Sequence, residues 1–198
     1  MGFLSDPSTL NDVNYTELYR EFISRLMSHL KPLRFAQIAT KCASSIVDLG
    51  ERRGFYDSVL LERSKLGEEA SLYLDIQLAL VDLELEEDDG HGIRDRMREM
   101  EGKVEGMICE DSTVAASFYQ LSFEYFRRFG PAHLFYKNAL LFLSHTSFSH
   151  VLSPDDIFHL AVDLSVAALS SMSIFNFGEV VRVFIFIFFH FHCFFCLL

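Results

Sequence analysis

The chain has 198 residues, 50% hydrophobic and 23% charged, which fits one folded unit with a sizeable core rather than a disordered polymer. Its 17 Lys and Arg against 28 Asp and Glu give a formal charge of -11, which repels phosphate backbones and excludes nucleic acid as a partner. With only 10 Gly and 4 Pro, the chain has few interruptions, and helices are favoured over a turn-rich β fold.

Tyr15, Leu18, Tyr19, Phe22, Ile23, Leu26 and Leu30 recur at offsets of three and four and predict a first helix, stopped by Lys31-Pro32. Phe35, Ile38, Ala39, Cys42, Ile46 and Leu49 predict a second, with Gly50 where a C-cap would sit. A shorter helix is expected from Phe55 to Leu66 and a longer one from Glu68 to Leu85, joined at Gly67. The longer helix turns Ala70, Tyr73, Ile76, Gln77, Leu80 and Leu83 or Leu85 inward. Leu85–Gly92 has the composition of a loop.

Ile93, Met97, Met100, Val104 and Ile108 then mark one buried stripe on a strongly charged surface helix. Ala115, Phe118, Ser122, Tyr125, Phe126 and Phe129 mark the next, over Ser112 to Phe129, and Gly130-Pro131 leads into a helix from Ala132 to Ser144. Ser153-Pro154-Asp155-Asp156 is a helix start, with a Ser cap, Pro in the first position and acids facing the positive end of the dipole. Ile157, Leu160, Ala161, Leu164 and Ala168 form its buried face.

Helices therefore begin about every twenty residues, the spacing of a repeat array. The expected fold is all-α, a right-handed helical-hairpin repeat solenoid of tetratricopeptide-like build, although no tetratricopeptide consensus aligns; a compact helical bundle is the alternative.

Chemistry is hard to find in this sequence. The histidines (His29, His91, His133, His145, His150, His159, His190 and His192) include no H-E-x-x-H pair, and there is no G-x-S-x-G elbow, phosphate loop or dinucleotide turn. No catalytic, cofactor-binding or metal-binding residue is assigned. The acids Asp82, Glu84, Glu86, Glu87, Asp88 and Asp89 do not fit a calcium loop, because placing Gly90 sixth puts Leu85 first and Arg96 last. They read as a solvated helix end and loop. Cys42, Cys109, Cys193 and Cys196 are too unevenly spaced for a disulfide framework and fit a reducing, intracellular compartment. The N-terminus shows neither a signal peptide nor a myristoylation pattern, since Asp6 stands where Ser or Thr is needed.

The C-terminus differs from the rest. Val183–Leu198 reads VFIFIFFHFHCFFCLL, with seven of the 21 Phe and no Asp, Glu, Lys or Arg. His190, His192, Cys193 and Cys196 imitate a metal set, but they crowd together with no loop to wrap an ion and read as composition bias. A membrane anchor is the alternative reading of 183–198, against which stand its helical length of about 24 Å and Arg182. The alternation of Val, Phe and Ile over 183–188 also fits an aggregation-prone β segment.

Three segments carry a resemblance to a known family: LYREFISRL (Leu18–Leu26), FYQLSFEYFRRFGPAHLFYKNALLFL (Phe118–Leu143) and SIFNFGEVV (Ser173–Val181). Together, in this order and spacing, the chain resembles the family of 26S proteasome non-ATPase regulatory subunit 13, PCI-domain subunits of the proteasome lid. The resemblance covers about Leu18 to Val181 and implies stacked helical hairpins leading into a PCI module. On this basis 1–12 is a flexible N-terminus, 13–130 the helical-repeat region, 131–181 the helical start of the PCI domain and 182–198 an apolar, non-homologous tail. The expected form is C-terminally truncated, with the family's winged helix and long terminal helix absent and assembly impaired. The resemblance further implies a non-catalytic scaffold in ubiquitin-dependent degradation, in cytoplasm and nucleus. Its partners would be neighbouring PCI-domain lid subunits, close to a ubiquitin receptor.

Overall fold

The computed structural model describes Tyr19 and residues 29–86, 90–107, 112–146 and 154–170. Among the described residues there are seven helices and no strand: α1 (Pro32–Ser44), α2 (Leu49–Leu60), α3 (Arg63–Leu85), α4 (His91–Gly106), α5 (Thr113–Phe129), α6 (Ala132–His145) and α7 (Pro154–Ser170). The chain divides into two units, Met1–Glu87 and Asp88–Leu198. The all-α expectation therefore holds.

In the first unit α1 and α2 pack on α3 and on each other. Pro32 opens α1, where its missing amide proton costs nothing, and the Phe35 amide donates to the Lys31 carbonyl at 3.0 Å. Phe35, Ala36, Ala39, Cys42 and Ala43 face inward, the three alanines letting the backbone approach its neighbours. The helix ends at Ser44, so Gly50 is not its cap. Two local signals decide this: the Ser45 hydroxyl donates to the Cys42 carbonyl at 2.6 Å, and Asp48 caps α2 by accepting the Glu51 amide at 2.7 Å. Gly50 instead lies in the first turn of α2, where a Cβ would come 3.1 Å from Asp48 Oδ1. The Ile46 carbonyl accepts Arg52 Nε at 3.0 Å and Nη2 at 2.6 Å, fixing the turn between the helices.

α2 thus runs over Leu49–Leu60 rather than the expected Phe55–Leu66. The expected joint at Gly67 survives as a break within α3, where φ 75° and ψ 172° interrupt the helix after one turn. A positive φ of this kind costs glycine little and other residues much more. Past Gly67, α3 buries Ala70, Tyr73, Ile76 and Leu83 as expected. It also buries Leu72, Leu74, Leu78, Ala79 and Val81, while Gln77 and Leu80 are half-buried and Leu85 is exposed. A single-face reading fails here because α1 and α2 both cover this helix, so its apolar residues need no single stripe. Along the solvent edge Arg53 Nε meets Asp82 Oδ1 at 2.7 Å, Arg52 meets Glu84 at 3.8 Å, and Arg63 pairs with Asp75. Most of the expected helix Tyr15–Leu30 lies outside the described residues. Its Tyr19 ring packs edge-on against Phe55, centroids 4.8 Å apart, and 6.0 Å from Phe35.

In the second unit each helix packs on the next: α4 on α5, α5 on α6, α6 on α7. Gly90 precedes α4 at φ 64°, and a Cβ there would lie 3.0 Å from the rings of Phe129 and Tyr125. Ile93, Met97 and Met100 of the expected stripe are buried in α4, Val104 is half-buried, and Ile108 lies outside the described residues. α5 is wider inside than expected, burying Val114, Leu121 and Phe123 besides Phe118, Ser122 and Tyr125, because α4 and α6 both pack against it. Ala115 and Phe126 are only half-buried and Phe129 reaches solvent at the helix end. Gly130 stops α5 in extended conformation, and a Cβ there would overlap Phe126 Cδ1 at 2.1 Å. α6 then starts at Ala132, its Leu134 amide donating to the Pro131 carbonyl at 3.0 Å.

Phe123, Phe135 and Phe142 centre the core of this unit, with ring centroids 6.3 Å apart for Phe123 and Phe135 and 5.2 Å for Phe123 and Phe142. Leu160, Leu164, Ala167 and Ala168 of α7 close it, and Ala161 is buried too. Four of the five residues expected on this face of α7 are therefore confirmed, and the side chain of Ile157 lies outside the described residues.

Candidate interaction surface

The residues that carry most of a protein's chemistry are dispersed in this fold. His29, His91, His133, His145 and His159 are exposed, and His145 stacks on Tyr119 at 5.4 Å and 19° while its carbonyl accepts the Ser112 hydroxyl at 3.3 Å. That contact ties the start of α5 to the end of α6. Among the described residues no group of three or more His, Cys, Asp or Glu could hold a metal ion. His150, His190, His192, Cys109, Cys193 and Cys196 lie outside the described residues.

Within the acidic run, Asp82 and Glu84 are held by Arg53 and Arg52 across the α2–α3 edge and serve packing. Glu87, Asp88 and Asp89 lie outside the described residues. Burial pushes the Cys42 thiol from 9.0 up to about 11, the opposite of what a nucleophilic cysteine requires. Burial likewise pushes Tyr56 up to about 12 and raises Tyr73; Tyr19 is pushed to about 12 by burial first and then by the negative charge of Glu62. These phenols stay neutral and act as packing groups.

The surface that stands out is on α7. Its inner face is spent on the aromatic core, and Asp163 on its flank pairs with Arg127 of α5. Phe158, Val162, Val166 and Leu169 form a second apolar row on the outside, at spacings of four, four and three residues, with exposures between 43% and 71%. Those spacings place the four side chains on one helix face. α7 is consequently apolar on two faces, a pattern that marks a helix meant to be covered on both. Reading one stripe per helix misses this row, although the hydrophobicity of α7 all round was the signal for it.

Helices packed in chain order around shared aromatic hubs, with a charged outer face on α4 and an apolar one on α7, fit a repeat array better than a catalytic cleft. The profile of a family described as PSD13 N-terminal repeats matches residues 1–187. The chain belongs to this family.

Curated relatives include 26S proteasome non-ATPase regulatory subunit 13 of Dictyostelium discoideum, 26% identical over 178 residues that cover 88% of this chain and 45% of the relative. Two proteins of Arabidopsis thaliana named 26S proteasome non-ATPase regulatory subunit 13 homolog B and homolog A are each 29% identical, over 82% of this chain and 42% of their own lengths. The chain spans less than half the length of these relatives. In the structure, Phe118–Leu143, the longest of the three segments that carried the resemblance, builds the α5–α6 hairpin and its aromatic hub, so part of what is shared with the family is core. Of Leu18–Leu26 only Tyr19 is described, and Ser173–Val181 lies outside the described residues.

Proposed function

We propose that this chain is a non-catalytic structural component of the 26S proteasome regulatory-particle lid, serving as a protein–protein scaffold in ubiquitin-dependent degradation. The observation that carries the reading is the PSD13 repeat match over residues 1–187, together with relatives named as proteasome non-ATPase regulatory subunits. The packing of α4 through α7 in chain order supports stacked hairpins, a build that presents extended surfaces to other proteins. In this reading the stacking is right-handed, 13–130 is the repeat region and 131–181 leads into a PCI domain. The partners are other lid subunits near a ubiquitin receptor, in cytoplasm and nucleus.

The test is affinity purification of tagged 1–198 beside a version extended with the part of the Arabidopsis homolog B that lies beyond the match. The extended chain is expected to recover lid subunits in stoichiometric amounts, and 1–198 alone to recover fewer. Failure of both to enrich any lid subunit refutes the lid reading. Equal recovery by both shows instead that residues 1–198 hold the whole assembly surface.

A further inference from the structure

α4 carries a charge pattern that works against the helix that bears it. Arg94, Arg98, Glu101 and Glu105 are exposed and follow one another at spacings of four, three and four, which aligns them along one flank over about 17 Å. The two arginines lie towards the N-terminal end of the helix and the two glutamates towards the C-terminal end, against the helix dipole, and each pair sets like charges one turn apart. The neighbouring flank shows the favourable arrangement, with Glu99 meeting Lys103 four residues on at 2.6 Å. Among the described residues Arg94, Glu101 and Glu105 have no ion pair, and Arg98 shares an exposed 3.3 Å contact with Asp95. We propose that this flank docks on the same flank of a second copy of the chain, with the two α4 helices antiparallel.

The pattern is complementary to itself in that orientation. Crossing midway between Glu99 and Met100, the helices set Arg94 of each copy opposite Glu105 of the other and Arg98 opposite Glu101, two ion pairs from each copy about a two-fold axis. An in-register parallel pairing sets arginine against arginine and glutamate against glutamate, so the charges select one orientation. The chain as a whole carries -11, so two copies repel at most approaches, and the arginine half of this flank is where the acidic side chains of a second copy are drawn in. An exposed ion pair multiplies association by about two- to fivefold, so the four together contribute on the order of a hundredfold. The resulting contact is weak and reversible, at the small end of protein interfaces.

Exchanging charges in the 1–198 chain separates this contact from any other. Four chains are compared by sedimentation velocity from about 10 µM to about 500 µM: the parent, Arg94→Glu with Arg98→Glu, Glu101→Arg with Glu105→Arg, and all four substitutions together. The parent is expected to shift reversibly from monomer towards dimer. Each half-exchanged chain is expected to associate about a hundredfold more weakly, including the second, whose smaller net negative charge would otherwise favour association. The fully exchanged chain is expected to recover the parent's association, because its pattern is again complementary to itself. All four positions are exposed and the full exchange follows the helix dipole, so helix content by circular dichroism should stay at the parent's level. A parent that stays monomeric up to about 500 µM overturns the proposal. So does equal association of all four chains, which would assign the contact to another surface, or failure of the full exchange to restore what either half removes.

Discussion

Truncating Phe142 tests the claim that the aromatic hub, rather than helix propensity, holds the second unit together. Phe142 is 1% exposed, so Phe142→Ala removes nearly all of a ring burial of roughly 150–250 Å² and leaves a cavity among Phe123, Phe135 and Ala139. Large-to-small changes of this type cost about 3–5 kcal/mol, a large share of a domain's stability. Phe142→Leu keeps most of the volume and gives up mainly the ring contact with Phe123 at 5.2 Å, worth about 1 kcal/mol. With a denaturant slope of about 2 kcal/mol per molar urea, the alanine variant should lower the midpoint by about 2 M and the leucine variant by about 0.5 M. The assay is urea unfolding followed by far-UV circular dichroism, with Phe158→Ala on the outer face of α7 as the reference, expected within about 0.5 kcal/mol of the parent. If Phe142→Ala and Phe158→Ala shift the midpoint equally, the hub does not carry the unit and the packing argument fails.

Gly90→Ala forces a Cβ at positive φ and to 3.0 Å from Phe129 and Tyr125, and should cost about 2–4 kcal/mol in the same unfolding assay. Arg53→Ala removes an exposed partner of Asp82 and should cost under about 1 kcal/mol, an effect that shrinks further in high salt. Cys42, with its thiol buried and pushed to about 11, should react with iodoacetamide at neutral pH far more slowly than in the urea-unfolded chain; equal rates would contradict its burial. Because Cys42, Tyr19 and Tyr56 all titrate higher when folded, the unfolded chain ionises first. The stability they contribute is therefore intact below pH 9 and declines as pH rises towards about 11 for the thiol and about 12 for the phenols, measurable as a falling melting temperature.

Helix existence and order were readable in the sequence because periodicity and turn chemistry agreed at most junctions: Gly130-Pro131 ended α5, Pro154 opened α7, and the Leu85–Gly92 interruption separated α3 from α4. The reading failed around residues 44–67, where several signals competed. Gly50 resembles a cap, but Asp48 three residues before Glu51 is a stronger start, and the hydrogen bond between them places α2 earlier than the apolar spacing implied. Inward faces held at Ile93, Met97 and Met100 of α4 and at Leu160, Ala161, Leu164 and Ala168 of α7, and were too narrow for α3 and α5, each packed on two helices. How many neighbours a helix has is a tertiary fact that its own periodicity does not encode.

The same consideration explains α7. Its sequence is as apolar on its outer face as a doubly covered helix, yet among the described residues it packs mainly on α6, with α5 reaching its flank through Arg127. α3 resolves the identical pattern by taking α1 on one side and α2 on another, with Arg53 and Asp82 marking where solvent begins. On α7 the flank marked by the Asp163 and Arg127 pair faces α5, and Phe158, Val162, Val166 and Leu169 are exposed beside it. A Phe158→Ser, Val166→Ser double variant discriminates between the two ways of reading that row. If the row is ordinary surface, replacing two exposed apolar side chains should change stability by no more than about 0.5 kcal/mol and improve solubility. If it is a face that another protein covers, stability should stay within the same margin while recovery of lid subunits by the extended chain falls several-fold.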